Sequence, residues 1–173
     1  YNMFLMNTIT ITGSPKYTDI IKKEATEIVS NMERQFNIDV DFIVTVRLHD
    51  SRENFNTKLG RITKEWEVGN TNQNNEIDIL DPDAFEEQSS HPKSDFSPIL
   101  KHEIAHIFIK IVSSGNAVPF WLNEGLAMYF AGQIERYPAN GLFVEDNFAV
   151  KISTQHGWNA YVNDDAYRFS CLF

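Results

Sequence analysis

Along the first half of the chain, apolar residues recur at every second position, interrupted by one stretch with helical spacing. "NMFLMNTITITG" alternates well enough for a first strand ending at Gly13. "YTDIIKKEATEIVSNMERQF" then sets Ile21, Ala25, Ile28, Met32 and Phe36 on one helical stripe. In "DVDFIVTVRLHD", Val40, Phe42, Val44, Val46 and Leu48 return to period two, which predicts a strand with one buried face. "SRENFNTKLG" reads as a short helix or loop closed by Gly60. "RITKEWEV" and "EIDIL" flank the polar run "GNTNQNN", a pattern that predicts a hairpin with Trp66 on its inner face and "EIDIL" at the sheet edge. "DPDAFEEQSSHPKSDF" is polar and irregular.

From Ser97 the spacing becomes helical almost to the end. Strands first and helices second predict a single α+β domain, with a β-rich part over about residues 1–96 and a helical part over about 97–173. Composition agrees with a folded chain: 173 residues, 42% hydrophobic, with 13 Phe. Fifteen basic against twenty-four acidic residues give a net charge of -9, which argues against nucleic acid or an anionic membrane as the main partner. One cysteine, Cys171, excludes an internal disulfide framework and any multi-cysteine zinc site. No apolar run is long enough to span a bilayer. The sequence opens on Tyr1, and its last helix reads through to Phe173, so it is expected to lack residues at both ends. An exported or anchored protein with its leading segment removed and a cytoplasmic one both stay open.

The candidate chemistry lies in "SPILKHEIAHIFIK". Ser97 is a natural N-cap and Pro98 a natural first helical residue, and the helix is expected to run to about Ser113 and stop at Gly115. His102 and His106 stand four apart, so both imidazoles project from one face. That spacing lets both nitrogens reach one ion at about 2.0–2.1 Å. Glu103 is rotated from them by about 100°, close enough to meet a water on the ion. Ile104, Ile107, Phe108 and Ile111 form the packing side. By itself "HEIAH" is also compatible with an amphipathic helix that holds no metal.

A catalytic zinc needs a third protein ligand and one open position. In "PFWLNEGLAMYFAG", Pro119 opens a second helix and Gly132 closes it, with Glu124 among Trp121, Leu122, Leu126, Met128, Tyr129 and Phe130. A glutamate in apolar surroundings must be protonated, paired or metal-bound. Gly125 removes bulk beside it, so another helix can approach closely. The residues between the two segments suffice to end one helix, turn and return antiparallel, which would bring His102, His106 and Glu124 together.

With "ILKHEIAHIFIK" and "VPFWLNEGLAMYF", the chain resembles the gluzincin metallopeptidases, in particular the peptidase MA-like group related to thermolysin and the zinc aminopeptidases. The second segment is close to that family's "WLNEGxA" signature. The resemblance implies a zincin-like fold: an N-terminal mixed sheet with helices, an active-site helix and a mostly helical C-terminal half. It implies one catalytic Zn2+ on His102, His106 and Glu124, with Glu103 as general base and a peptide or protein as substrate. Such families often use a later tyrosine to hydrogen-bond the oxyanion, and "DDAYRFSCLF" offers Tyr167, with Tyr161 behind it. The Gly-Ala-Met-Glu-Asn segment by which zinc aminopeptidases read a free amino terminus has no counterpart at or before "EIDIL". Endopeptidase activity is therefore the expectation. The alternative is a catalytically silent domain that keeps the fold, the zinc and a protein partner. His49, His91 and His156 are expected to be surface or locally bonded, and the runs Asp81 to Glu87 and Asp164–Asp165 to be solvated faces or helix caps.

Overall fold

The apolar alternation does build strands, and the computed structural model sets four of them in one sheet. It describes residues 8–38, 41–137, 142, 145–162 and 165–172. Residues 2–7 of the expected first strand, Val40 of the second, and Asp164 and Phe173 of the last expected helix lie outside these. The chain divides into two compact units, Tyr1–Ile107 and Phe108–Phe173.

In the first unit, β1 (Thr8–Gly13) is followed by α1 (Thr18–Phe36), β2 (Ile43–His49) and α2 (Arg52–Leu59). Then come β3 (Gly69–Thr71), β4 (Glu76–Leu80), α3 (Pro82–Glu87) and α4 (Phe96–Val112), whose residues to Ile107 belong here. The sheet is mixed, in the order β1-β2-β4-β3, parallel except for the antiparallel β3–β4 pair. Ile9, Val44, Val46, Leu48, Ile77 and Ile79 are buried, the expected one-faced alternation. Arg47 lies opposite Asp78 in register, and with His49 they make a polar cluster on the other face. His49 Nε2 is 2.8 Å from Asp78 Oδ1, and Arg47 is 3.5 Å from Oδ2. On α1, Ile21, Ala25, Ile28, Val29 and Met32 are buried, close to the predicted stripe. Among the described residues, no helix is long and apolar enough to cross a membrane.

Two readings of this half are corrected. The hairpin exists, but its first strand is "GNT" and not "RITKEWEV". The Arg52 guanidinium explains why: it donates to the Lys64, Glu65 and Glu67 carbonyls, while His91 Nε2 lies 2.9 Å from the Trp66 carbonyl. Carbonyls held in this way cannot enter a ladder, and Trp66 sits in the loop before the strand. The tight turn is Asn72–Asn75, where the Asn72 side chain accepts from Asn74 and Glu76 N–H and Asn75 takes a φ of 59°. "EIDIL" is therefore interior, since β2 and β3 use both its sides.

The second correction is α3, in the stretch read as irregular. Asp81 caps it through bonds from Asp83 and Ala84 N–H, and Phe85 is fully buried against Phe96. Six residues are too few to show a helical period.

In the second unit, α5 (Phe120–Ala131) begins after Pro119 and ends at Gly132 (φ 72°), as the sequence predicts. It is followed by α6 (Phe148–Lys151), α7 (Gln155–Tyr161) and α8 (Ala166–Ser170). Their core is Phe148, Ile152, Trp158, Ala166 and Phe169, with Phe120, Trp121, Tyr161 and Tyr167 packed around it. The last helix stops at Ser170, where the Leu172 N–H bonds the Phe169 carbonyl and tightens the turn. Gly125 allows the close approach that its position suggests: a Cβ there would stand 2.3 Å from the Ser170 carbonyl oxygen on α8.

Candidate metal centre

Helix α4 carries its chemistry because its apolar positions bury the opposite side. Leu100, Ile104, Ile107 and Phe108 are buried, while His102 and His106, one turn apart, are half-buried. The two Nε2 atoms face each other at 3.1 Å, with the rings edge to face at 4.7 Å. Ligands at about 2.0–2.1 Å on a tetrahedral ion stand about 3.3–3.4 Å apart. The imidazoles thus already have nearly the separation that a shared cation requires.

Glu124, in the first half of α5, is only 8% exposed. The ligand atoms of His102, His106 and Glu124 all lie within 4.8 Å of one another. Two imidazole nitrogens and one carboxylate oxygen suit a first-row divalent cation, although the set does not by itself select zinc.

Glu103 also stands 8% exposed, next to His102 on α4. Its Oε2 accepts from the Thr71 hydroxyl at 2.7 Å, and the same hydroxyl lies 3.0 Å from its backbone carbonyl. A Cβ on Gly69 would come within 2.8 Å of Oε1. Gly69 and Thr71, two apart on β3, share the face toward Glu103. Sequence reading missed both, because it placed them in the hairpin turn. The available signal was the Asn-rich run directly after "GNT", which accounts for the whole turn.

Tyr167, on α8, stacks on Tyr137 at 5.0 Å and meets Trp158 edge to face at 4.8 Å. Tyr161 packs edge to face on Phe148. Each belongs to an aromatic cluster, the ordinary setting of a packed tyrosine. His49 is bonded to Asp78, and His156 is exposed on α7. His91 is more than solvated: besides the Trp66 carbonyl it meets Asp95 at 3.2 Å and the Phe85 ring at 5.7 Å. The acidic run is as expected in part a helix cap, Asp81, and in part a solvated face, Glu86 and Glu87, while Asp83 gathers Lys16, Tyr17 and Lys93. Comparison of the chain with protein-family models, curated proteins and solved structures gives no significant match.

Proposed function

We propose that this chain is a zinc-dependent peptidase with a zincin-like fold, acting on peptide or protein substrates as an endopeptidase. The observation that carries the reading is the convergence of His102, His106 and Glu124, with Glu103 beside them on the same helix. His102, His106 and Glu124 would hold the ion. When bound, zinc supplies a Lewis acid that acidifies water and polarises a carbonyl.

Glu103 takes the proton of the attacking water and returns it to the leaving amide nitrogen. That role separates the proposal from a silent zinc-binding domain, because holding zinc does not require Glu103. Tyr167, with Tyr161 as second candidate, is proposed from the family resemblance to donate to the oxyanion. An extended substrate has β3 as its edge to pair with, since β4 is flanked on both sides.

Two measurements test the proposal. Purified protein incubated with zinc is expected to retain one equivalent, and markedly less would remove the metal from the account. On a mixed peptide library, wild type is expected to give chelator-sensitive internal cleavage, and Glu103→Gln to lose it by several orders of magnitude. No cleavage by wild type, or unchanged cleavage by the variant, defeats the mechanism. Release of single N-terminal residues would replace endopeptidase with aminopeptidase.

A further inference from the structure

The Glu103 carboxyl is gripped by a strand distant in sequence. Thr71 has one hydroxyl proton, and the nearer acceptor is Oε2 at 2.7 Å. Gly69, on the same face of β3, leaves the space that Oε1, Cγ and Cδ occupy: a Cβ would approach them to 2.8, 3.0 and 3.1 Å. We infer that Thr71 and Gly69 are the positioning residues of Glu103, fixing its side chain by one hydrogen bond and one missing methyl. This rests on the peptidase reading for its catalytic consequence.

The anchoring runs further back along the chain. The loop before β3 is held by Arg52, whose guanidinium also donates to Thr63 Oγ1 and the Gln88 carbonyl. Val68, just before β3, is buried and its carbonyl accepts from the Leu80 N–H. The edge strand is therefore fixed at its start, and it can hold a carboxylate in one place instead of moving with it. A hydroxyl held so costs little reorganisation when the proton moves.

The test combines unfolding of the metal-free protein with kinetics of the zinc-loaded one. Thr71→Val should lower the folding equilibrium constant about tenfold with Glu103 present and far less in a Glu103→Ala background, because the hydrogen bond to the carboxyl is lost only in the first. Gly69→Ala should show the same pattern, its collision being relieved once the glutamate is truncated. In peptide cleavage, Thr71→Val should reduce kcat by about ten- to a hundredfold, with KM and zinc affinity near wild type. Thr71→Ser, which keeps the hydroxyl, should recover most of the rate.

Additive unfolding effects would overturn the coupling even if wild type cleaves peptides. A coupled cycle with unchanged kcat in Thr71→Val would overturn the positioning role. A wild type with no chelator-sensitive cleavage would sink the peptidase reading instead, while the unfolding cycle still decides whether Thr71 and Gly69 hold Glu103.

Discussion

Replacing Gly125 with alanine sets two opposed effects against each other, and the structure says which should win. Alanine is the better helix former, by about 1 kcal/mol in a helix interior. Gly125 lies mid-helix in α5, so propensity alone predicts stabilisation. The added Cβ, however, would sit 2.3 Å from the Ser170 oxygen and 3.1 Å from its carbonyl carbon. Ordinary contact needs about 1 Å more, and a backbone carbonyl cannot rotate aside as a side chain can. Parting α5 from α8 is overpacking, at about 1–3 kcal/mol or more for a single forced group. The expected net is a destabilisation of about 1–2 kcal/mol, or a fall in Tm of about 2–8 °C for a chain of this size. Calorimetry of the metal-free protein is the assay. A second readout follows from Glu124, which shares the displaced backbone: zinc affinity should fall about tenfold. A Tm that rises in Gly125→Ala would refute the close approach and the reason given for a glycine beside the third ligand.

Other perturbations probe separate parts of the molecule. Asp78→Ala removes a carboxylate only 2% exposed and leaves Arg47 and His49 without it; unfolding should be easier by about 2–4 kcal/mol, discounted for the partly exposed arginine, and a change under about 0.5 kcal/mol would contradict this role. Hydrogen bonds from Lys16, then Tyr17 and Lys93, hold the Asp83 carboxyl well below the usual carboxylate range. A depressed folded-state pKa gives stability that is present above the unfolded value of about 4 and lost as pH falls through the folded one. Urea titrations should therefore show Asp83→Asn less stable than wild type near pH 6, the gap narrowing steadily below pH 4; a constant gap would exclude the linkage. Zinc at about a hundred times its Kd should raise stability by about 2.7 kcal/mol. Differential scanning with and without chelator should show this for wild type and not for His102→Ala, and an equal response in both would discard His102 as a ligand.

The legible parts of the fold were those carried by local pattern. Pro119 and Gly132 bounded α5 because a fixed φ and a left-handed cap act within one or two residues. Val44, Val46 and Leu48 marked β2 because a one-faced strand repeats every second residue. β3 and α3 escaped because three and six residues are too short to display a period, and what shapes them is remote. Arg52 determines where the loop before β3 ends, and Asp81 starts α3 through its own side chain. His91 is locally bonded to Asp95, four residues on, but its ring also meets the Trp66 carbonyl and Phe85, which no spacing rule connects.

The candidate site divides in the same way. Helical geometry alone put His102 and His106 on one face and Glu103 beside them, since residues four apart on a helix must be neighbours. Local composition alone marked Glu124 as a buried carboxylate in need of a partner, with Gly125 making room for another helix. Tertiary structure decided what surrounds them. Ser170 fills the room beside Gly125, and β3 is an edge strand of the described sheet while β4 is enclosed. Most of all, it set Thr71 against Glu103. A contact across thirty-two positions depends on strand order and register, and these are fixed by which surfaces the whole chain can bury together.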